Sequence, residues 1–130
     1  MKEILKRAIE NESEQDLIKC LDFNKEEEIN SEQYYLIEKA LIAKWHSQHE
    51  DLVNTIYIES LKYDGFVEPI LNIALNREIY RWYDDELEST LRKCVHALKT
   101  IDSNKSINAL EKLKTLNNEN VNSILEMYKE

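Results

Sequence analysis

The sequence predicts an all-α fold of about eight short helices packed as antiparallel pairs, and three observations carry that prediction. The 130 residues include one glycine, Gly65, and one proline, Pro69. A many-stranded sheet needs turn residues that accept a positive φ or pre-set φ, and two such residues cannot supply its turns. Apolar residues recur at the 3.6-residue helical period along most of the chain. The connections are short and rich in Asn, Asp and Ser, which places consecutive helices antiparallel.

The elements follow in order. A first helix over about Lys2–Asn11 aligns Ile4, Leu5, Ala8 and Ile9 on one face. Ser13 caps a second helix bearing Leu17, Ile18 and Leu21. The charged run Lys25-Glu26-Glu27-Glu28 reads as solvated surface, and Ser31 is the expected N-cap of the third helix. That helix is apolar nearly all round, from Tyr34 to Trp45, which predicts neighbours on several sides. A fourth starts near His49-Glu50-Asp51, where acids suit the positive helix end, and buries Leu52, Val53, Ile56, Tyr57 and Leu61 before Asp64-Gly65 breaks it. A fifth tolerates Pro69 in its first turn and runs through Ile79 into Tyr80, Trp82 and Tyr83. Asp84-Asp85 opens a sixth, with Leu87, Leu91, Cys94, Val95, Leu98 and Ile101 inward. Asp102-Ser103-Asn104 turns into a seventh carrying Ile107, Leu110, Leu113 and Leu116. Asn117-Asn118 turns into an eighth carrying Val121, Ile124, Leu125 and Tyr128. The whole chain, 1–130, reads as one domain, with residues 1–30 an N-terminal pair and 31–130 the core. The pairs begin near residues 2, 31, 66 and 104, a spacing within the range of helical repeat arrays.

Net charge is −9, of which −7 falls on residues 1–65. Binding to nucleic acid or an anionic membrane needs clustered Lys and Arg, so neither is an expected partner. A basic protein partner fits the charge. Cys20 and Cys94 sit within apolar helical patterns, as buried free thiols of a reducing, cytoplasmic setting would. Met1-Lys2-Glu3 leads straight into an amphipathic helix, so no leader peptide is expected, and no apolar run reaches the length of a membrane span.

Two clusters carry potential chemistry. His46, His49, Glu50 and Asp51 place two imidazoles and two carboxylates within six residues. Such a set suits a metal, and the alternative function is a metal-binding protein or enzyme built on it. The H-x-x-H spacing differs from the H-E-x-x-H of a metalloprotease helix. The junction between two helices gives these residues structural work instead: His46 on carbonyls that end the third helix, Glu50 and Asp51 at the start of the fourth. The second cluster is Tyr80, Trp82 and Tyr83 beside Asp84, Asp85 and Glu86. Aromatics rimmed by acids suit a hot spot for a basic partner. With Glu50 and Asp51 they form the expected partner-binding set. No phosphate loop is possible with one glycine, and Cys94 and His96, two apart on a helix, point away from one another. No catalytic residues, metal or cofactor are therefore expected.

The stretch Cys94-Val95-His96-Ala97-Leu98-Lys99-Thr100-Ile101-Asp102, followed by Ser106-Ile107-Asn108-Ala109-Leu110-Glu111-Lys112-Leu113, resembles a HEAT repeat. Trp45-His46-Ser47-Gln48-His49-Glu50-Asp51, with Tyr83-Asp84-Asp85 and Arg92-Lys93-Cys94 further on, resembles a group of small bacterial HEAT-like proteins. The likeness covers about residues 36–116. It implies a short α-solenoid that works as a binding scaffold with no shared activity, and some small helical-repeat proteins serve as immunity proteins against secreted toxins. The expectation is a non-catalytic protein-binding domain, in its most specific form an acidic immunity protein that neutralises a basic toxin domain, or else a general scaffold.

Overall fold

A computed structural model describes residues 2–21, 31–76 and 89–128, and among them every regular element is helical. The order is α1 (Lys2–Glu10), α2 (Glu14–Leu21), a 3₁₀ turn (Ser31–Gln33), α3 (Tyr34–Ile42), α4 (His49–Ile58), a second 3₁₀ turn (Asp64–Phe66), α5 (Val67–Leu75), α6 (Ser89–Ile101), α7 (Asn104–Lys114) and α8 (Glu119–Met127). No described helix is long and apolar enough to cross a membrane.

The core is organised on α6. Its buried positions Leu91, Cys94, Val95, Ala97, Leu98 and Ile101 cover more than one helix face. Accordingly it packs against α4, α5, α7 and α8. Helices α1 and α2 pack on one another, and α1 reaches α3 while α2 reaches α4. Cys20 and Cys94 are buried free thiols, and burial pushes the Cys20 thiol up to about 11.

Several boundaries differ from the sequence expectation. Ser31 does not cap α3, because Ser31–Gln33 forms a 3₁₀ turn and the α-helix starts at Tyr34. That helix ends at Ile42, so Trp45 lies in the connection to α4. The chain leaves α4 at Glu59 and Ser60, ahead of Asp64-Gly65. Pro69 is tolerated in the first turn of α5, as expected, since the amide it lacks has no intrahelical acceptor there. The described part of α5 stops at Leu75, and Ile79 lies outside the described residues. Some apolar positions assigned to buried stripes face outward, including Ile18, Tyr35, Ile42, Ile107 and Leu116. In α7 the small residues Ser106 and Ala109 take the inward places.

The helix ends explain how the chain manages with one glycine. Glu12, Ser60, Asp102 and Asn117 adopt positive φ, near 50°, within the few residues that follow α1, α4, α6 and α7. At Ser60 the amide of Leu61 reaches back to the Ile56 carbonyl at 3.0 Å and that of Ser60 to Tyr57 at 3.2 Å. This is a Schellman ending, with Leu61 and Ile56 both buried. The same pairing closes α1, through Ser13 to Ala8 at 2.9 Å and Glu12 to Ile9 at 3.3 Å. Ser13 then caps α2 by accepting the Asp16 amide at 3.3 Å. Helix α7 starts on a reciprocal capping box, Ser103 with Ser106. Helix α8 starts on Asn118, whose Oδ1 accepts the amides of Asn120 and Val121.

The packing and the helix ends set the expected effects of three substitutions. Leu98→Ala, at a fully enclosed site, should cost ~2–5 kcal/mol in denaturant unfolding. Ile107→Ala, at a position 46% exposed, should cost under ~1 kcal/mol. Ser60→Gly should stabilise the chain by about 1 kcal/mol, because glycine relieves the left-handed strain; an unchanged or lower unfolding midpoint would contradict this.

Candidate functional site

The α3–α4 connection is held by side chains from three elements. His46 Nε2 lies 2.6 Å from the Ala40 carbonyl, and His49 Nε2 lies 2.7 Å from the Ala43 carbonyl. Both are acceptors at the end of α3, where intrahelical donors run out. The Gln48 amide donates to His46 Nδ1 at 2.9 Å. That bond fixes the tautomer: Nδ1 is bare, and Nε2 carries the proton it donates to Ala40. The imidazoles stack at 4.3 Å with 20° between their planes, and Trp45 meets His46 edge-on at 4.8 Å. From α2, Glu14 Oε2 accepts the Ser47 amide (2.8 Å), the Ser47 hydroxyl (2.8 Å) and the Gln48 side-chain amide (2.9 Å). Those bonds, with the Gln48 side chain contributing most, hold the Glu14 carboxyl down at about 2.

His46 and His49 are 7% and 3% exposed. Burial is the main reason both resist protonation, and His49, facing the second imidazole as well, is pushed down to about 4. The carboxylates of the same sequence cluster turn elsewhere. Glu50 Oε1 accepts the Thr90 hydroxyl at 3.1 Å, and Oε2 pairs with Lys93 at 3.6 Å, which ties α4 to α6. Asp51 is exposed and lines a shallow depression of about 200 Å³ between α2 and α4, with Ile18, Leu21 and Asn54. The four residues therefore do not converge. Among the described residues no group of three or more His, Cys, Asp or Glu side chains could hold a metal ion.

Of the expected partner-binding set, Tyr80, Trp82, Tyr83, Asp84, Asp85 and Glu86 lie outside the described residues. Glu50 and Asp51 are described, and they face different neighbours.

A groove of about 440 Å³ that the sequence reading missed lies between α3, α5 and α7. Ile42, at the end of α3 and 55% exposed, forms one apolar wall, and Pro69 lies in the floor. Glu38, Asp64 and Glu68 bring carboxylates to it, with Asp64 and Glu68 exposed, while Lys105 stands on the α7 side. The Tyr63 hydroxyl donates to Glu38, which pushes the phenol's pKa up. Tyr63 in turn packs on Tyr34 and Phe66, with ring centroids 5.5 and 4.9 Å away. A Cβ at Gly65 would strike the Tyr63 ring and come within 2.5 Å of Glu38 Oε1, so any larger residue there makes those two side chains shift. The lone glycine and the lone proline thus both line the groove. Their rarity was the available signal, but Glu38 and Lys105 are too distant in sequence to have been joined to them.

His96 belongs to a separate cluster. Tyr57 stacks on it at 4.8 Å, and the Tyr128 hydroxyl lies 2.7 Å from Nδ1. Cys94 faces the core instead, so these two residues do point apart.

Compared with family models, with curated proteins and with solved structures, the chain matches none.

The buried imidazoles set a pH dependence. Unfolded His49 binds a proton near the ordinary 6.5, and folded His49 only near 4, so lowering the pH favours the unfolded chain. The stability due to neutral His49 should be complete above 6.5 and fall by about 3 kcal/mol as the pH drops to about 4. Denaturant unfolding across that range should show the loss, and His49→Gln should reduce it; equal slopes in both chains would contradict the assignment.

Proposed function

We propose that the chain is a non-catalytic protein-binding domain for a basic partner. The observation that carries this reading is the groove at Ile42 and Pro69, where an exposed aliphatic wall is rimmed by Glu38, Asp64 and Glu68. An interface of this composition buries apolar surface at its centre and uses the charged rim for steering and register. The net charge of −9 favours encounter with a cationic protein and disfavours nucleic acid and anionic membranes. In this proposal the helices form antiparallel pairs stacked as a short HEAT-like solenoid, an architecture that works through its surface. The specific form is an immunity-type inhibitor acting in the cytoplasm, which binds and blocks a basic toxin domain. It draws on the resemblance of the Trp45–Asp51 and Cys94–Leu113 stretches.

Affinity capture from the native host tests the reading. A basic protein should be retained at low salt and released at high salt. The triple variant Ile42→Ser, Asp64→Asn, Glu68→Gln should bind on the order of 50-fold more weakly, from roughly 0.5 kcal/mol per exposed charge pair and ~1.5 kcal/mol for the aliphatic side chain. Absence of any basic protein at low salt would sink the binding reading, and equal retention by the variant would remove the groove from it.

A further inference from the structure

The hydrogen bonds around His46 leave it no room for a second proton. A backbone amide can only donate, and the Gln48 N–H points at His46 Nδ1 from 2.9 Å. The other nitrogen already gives its proton to Ala40. An imidazolium at position 46 would set two donors head to head, so it forms only if the Gln48 bond breaks. Gln48 is also the N-cap residue of α4, and its carbonyl accepts the Leu52 amide at 3.0 Å. Disturbing Gln48 therefore disturbs the first turn of α4.

His49 is coupled to the same event. It is the first residue of α4, where the positive end of the helix opposes a cation. It stacks on His46 at 4.3 Å, so a charge on either ring raises the cost of a charge on the other. The groups facing the pair come from each surrounding element. Helix α3 presents the Ala40 and Ala43 carbonyls, which favour an N–H. Helix α2 presents Glu14, whose negative charge favours protonation but which is held to Ser47 and Gln48. Helix α6 turns its Lys93 ammonium to Glu50, the residue next to His49, and not to the rings.

We propose that the stacked His46–His49 pair is an acid-operated latch on the α3–α4 joint: the neutral rings pin the end of α3 to the start of α4, and uptake of protons by the pair opens the joint while the α6-centred core stays folded. The balance is simple. Protons arrive from solvent at His46 Nδ1 and at the His49 ring, the Gln48 N–H to His46 bond is lost, and no covalent bond changes. Glu14, already ionised throughout this range, becomes the natural counter-ion for the exposed imidazoliums. Since α3 carries Glu38 and Ile42, opening also loosens one wall of the groove. The latch does not depend on what that groove binds.

Nuclear magnetic resonance of the unaltered chain, titrated from neutral pH down through about 4, tests this directly. The ring signals of His46 and His49 should hold their neutral positions through the ordinary imidazole value of 6.5 and then move together. The Gln48 amide should lose its exchange protection over the same pH interval while amides of α6 keep theirs. The opening should follow proton activity with a slope approaching two, and approaching one in His49→Gln, which keeps a side-chain N–H donor that does not titrate. Protonation of either ring with the Gln48 amide still protected would overturn the latch. So would loss of α6 protection at the same pH, which is global unfolding, or a slope of one in both chains.

Discussion

Burial around α6 is the interaction on which the rest of the structure depends. Most helices of a small domain bury one stripe and leave the other face in water. Helix α6 instead meets α4, α5, α7 and α8, and its inward residues are fully enclosed. A central helix of this kind lets elements that are short, and marginal alone, share one core. It also explains why small residues recur there. Ala97 sits on α6, and Ala109 and Ser106 sit on α7, where backbones approach closely. Larger side chains at those places would force the helices apart.

Short helices carry a second constraint, because each brings two ends with unmet backbone groups. Glycine usually solves the C-terminal end, and this chain has almost none. Four non-glycine residues take the left-handed conformation instead, two of them a glutamate and a serine. At Glu12 and Ser60 the strain is offset locally by a pair of closing backbone hydrogen bonds, and after Ser60 Leu61 is drawn into the core. At the α3–α4 junction no left-handed residue is used. There two imidazoles meet the last carbonyls of α3, and a carboxylate from α2 organises the loop. Side chains thus do the work that backbone geometry does elsewhere, and side chains that titrate make that junction responsive to pH.

The acidic character of the chain takes a definite form at the groove. Asp64 and Glu68 are exposed within a few residues of one another, while Glu38 is shared with Tyr63. The Tyr63 ring lies close over Gly65, and its hydroxyl holds the α3 carboxylate of Glu38 at the same edge as those of the Asp64–Phe66 turn and α5. Ile42 stays exposed because α3 stops there and the chain turns away toward Trp45. An apolar residue at a helix end is covered only if a neighbour reaches it, and across the groove the α7 side offers only the exposed Lys105.

Helical periodicity, the single glycine and the single proline were enough to determine the helical class of the described residues, the approximate start of most of their helices and much of the core, because these depend on local propensity and a repeating apolar face. The role of His46 as a partner for the last carbonyls of α3 was also legible, since a histidine just beyond a helix end has those acceptors within reach. What the sequence could not decide is which side of an apolar helix stays uncovered. Helix α3 reads as apolar all round, yet Tyr35 and Ile42 face out, because exposure depends on which neighbours arrive from elsewhere in the chain. For the same reason Glu50 and Asp51, adjacent in sequence, serve different neighbours. The stacking of His46 on His49, the reach of Glu14 across to Ser47, and the meeting of Glu38 with Gly65 and Lys105 bring together residues whose proximity exists only once the helices have packed, so only the tertiary structure could place them.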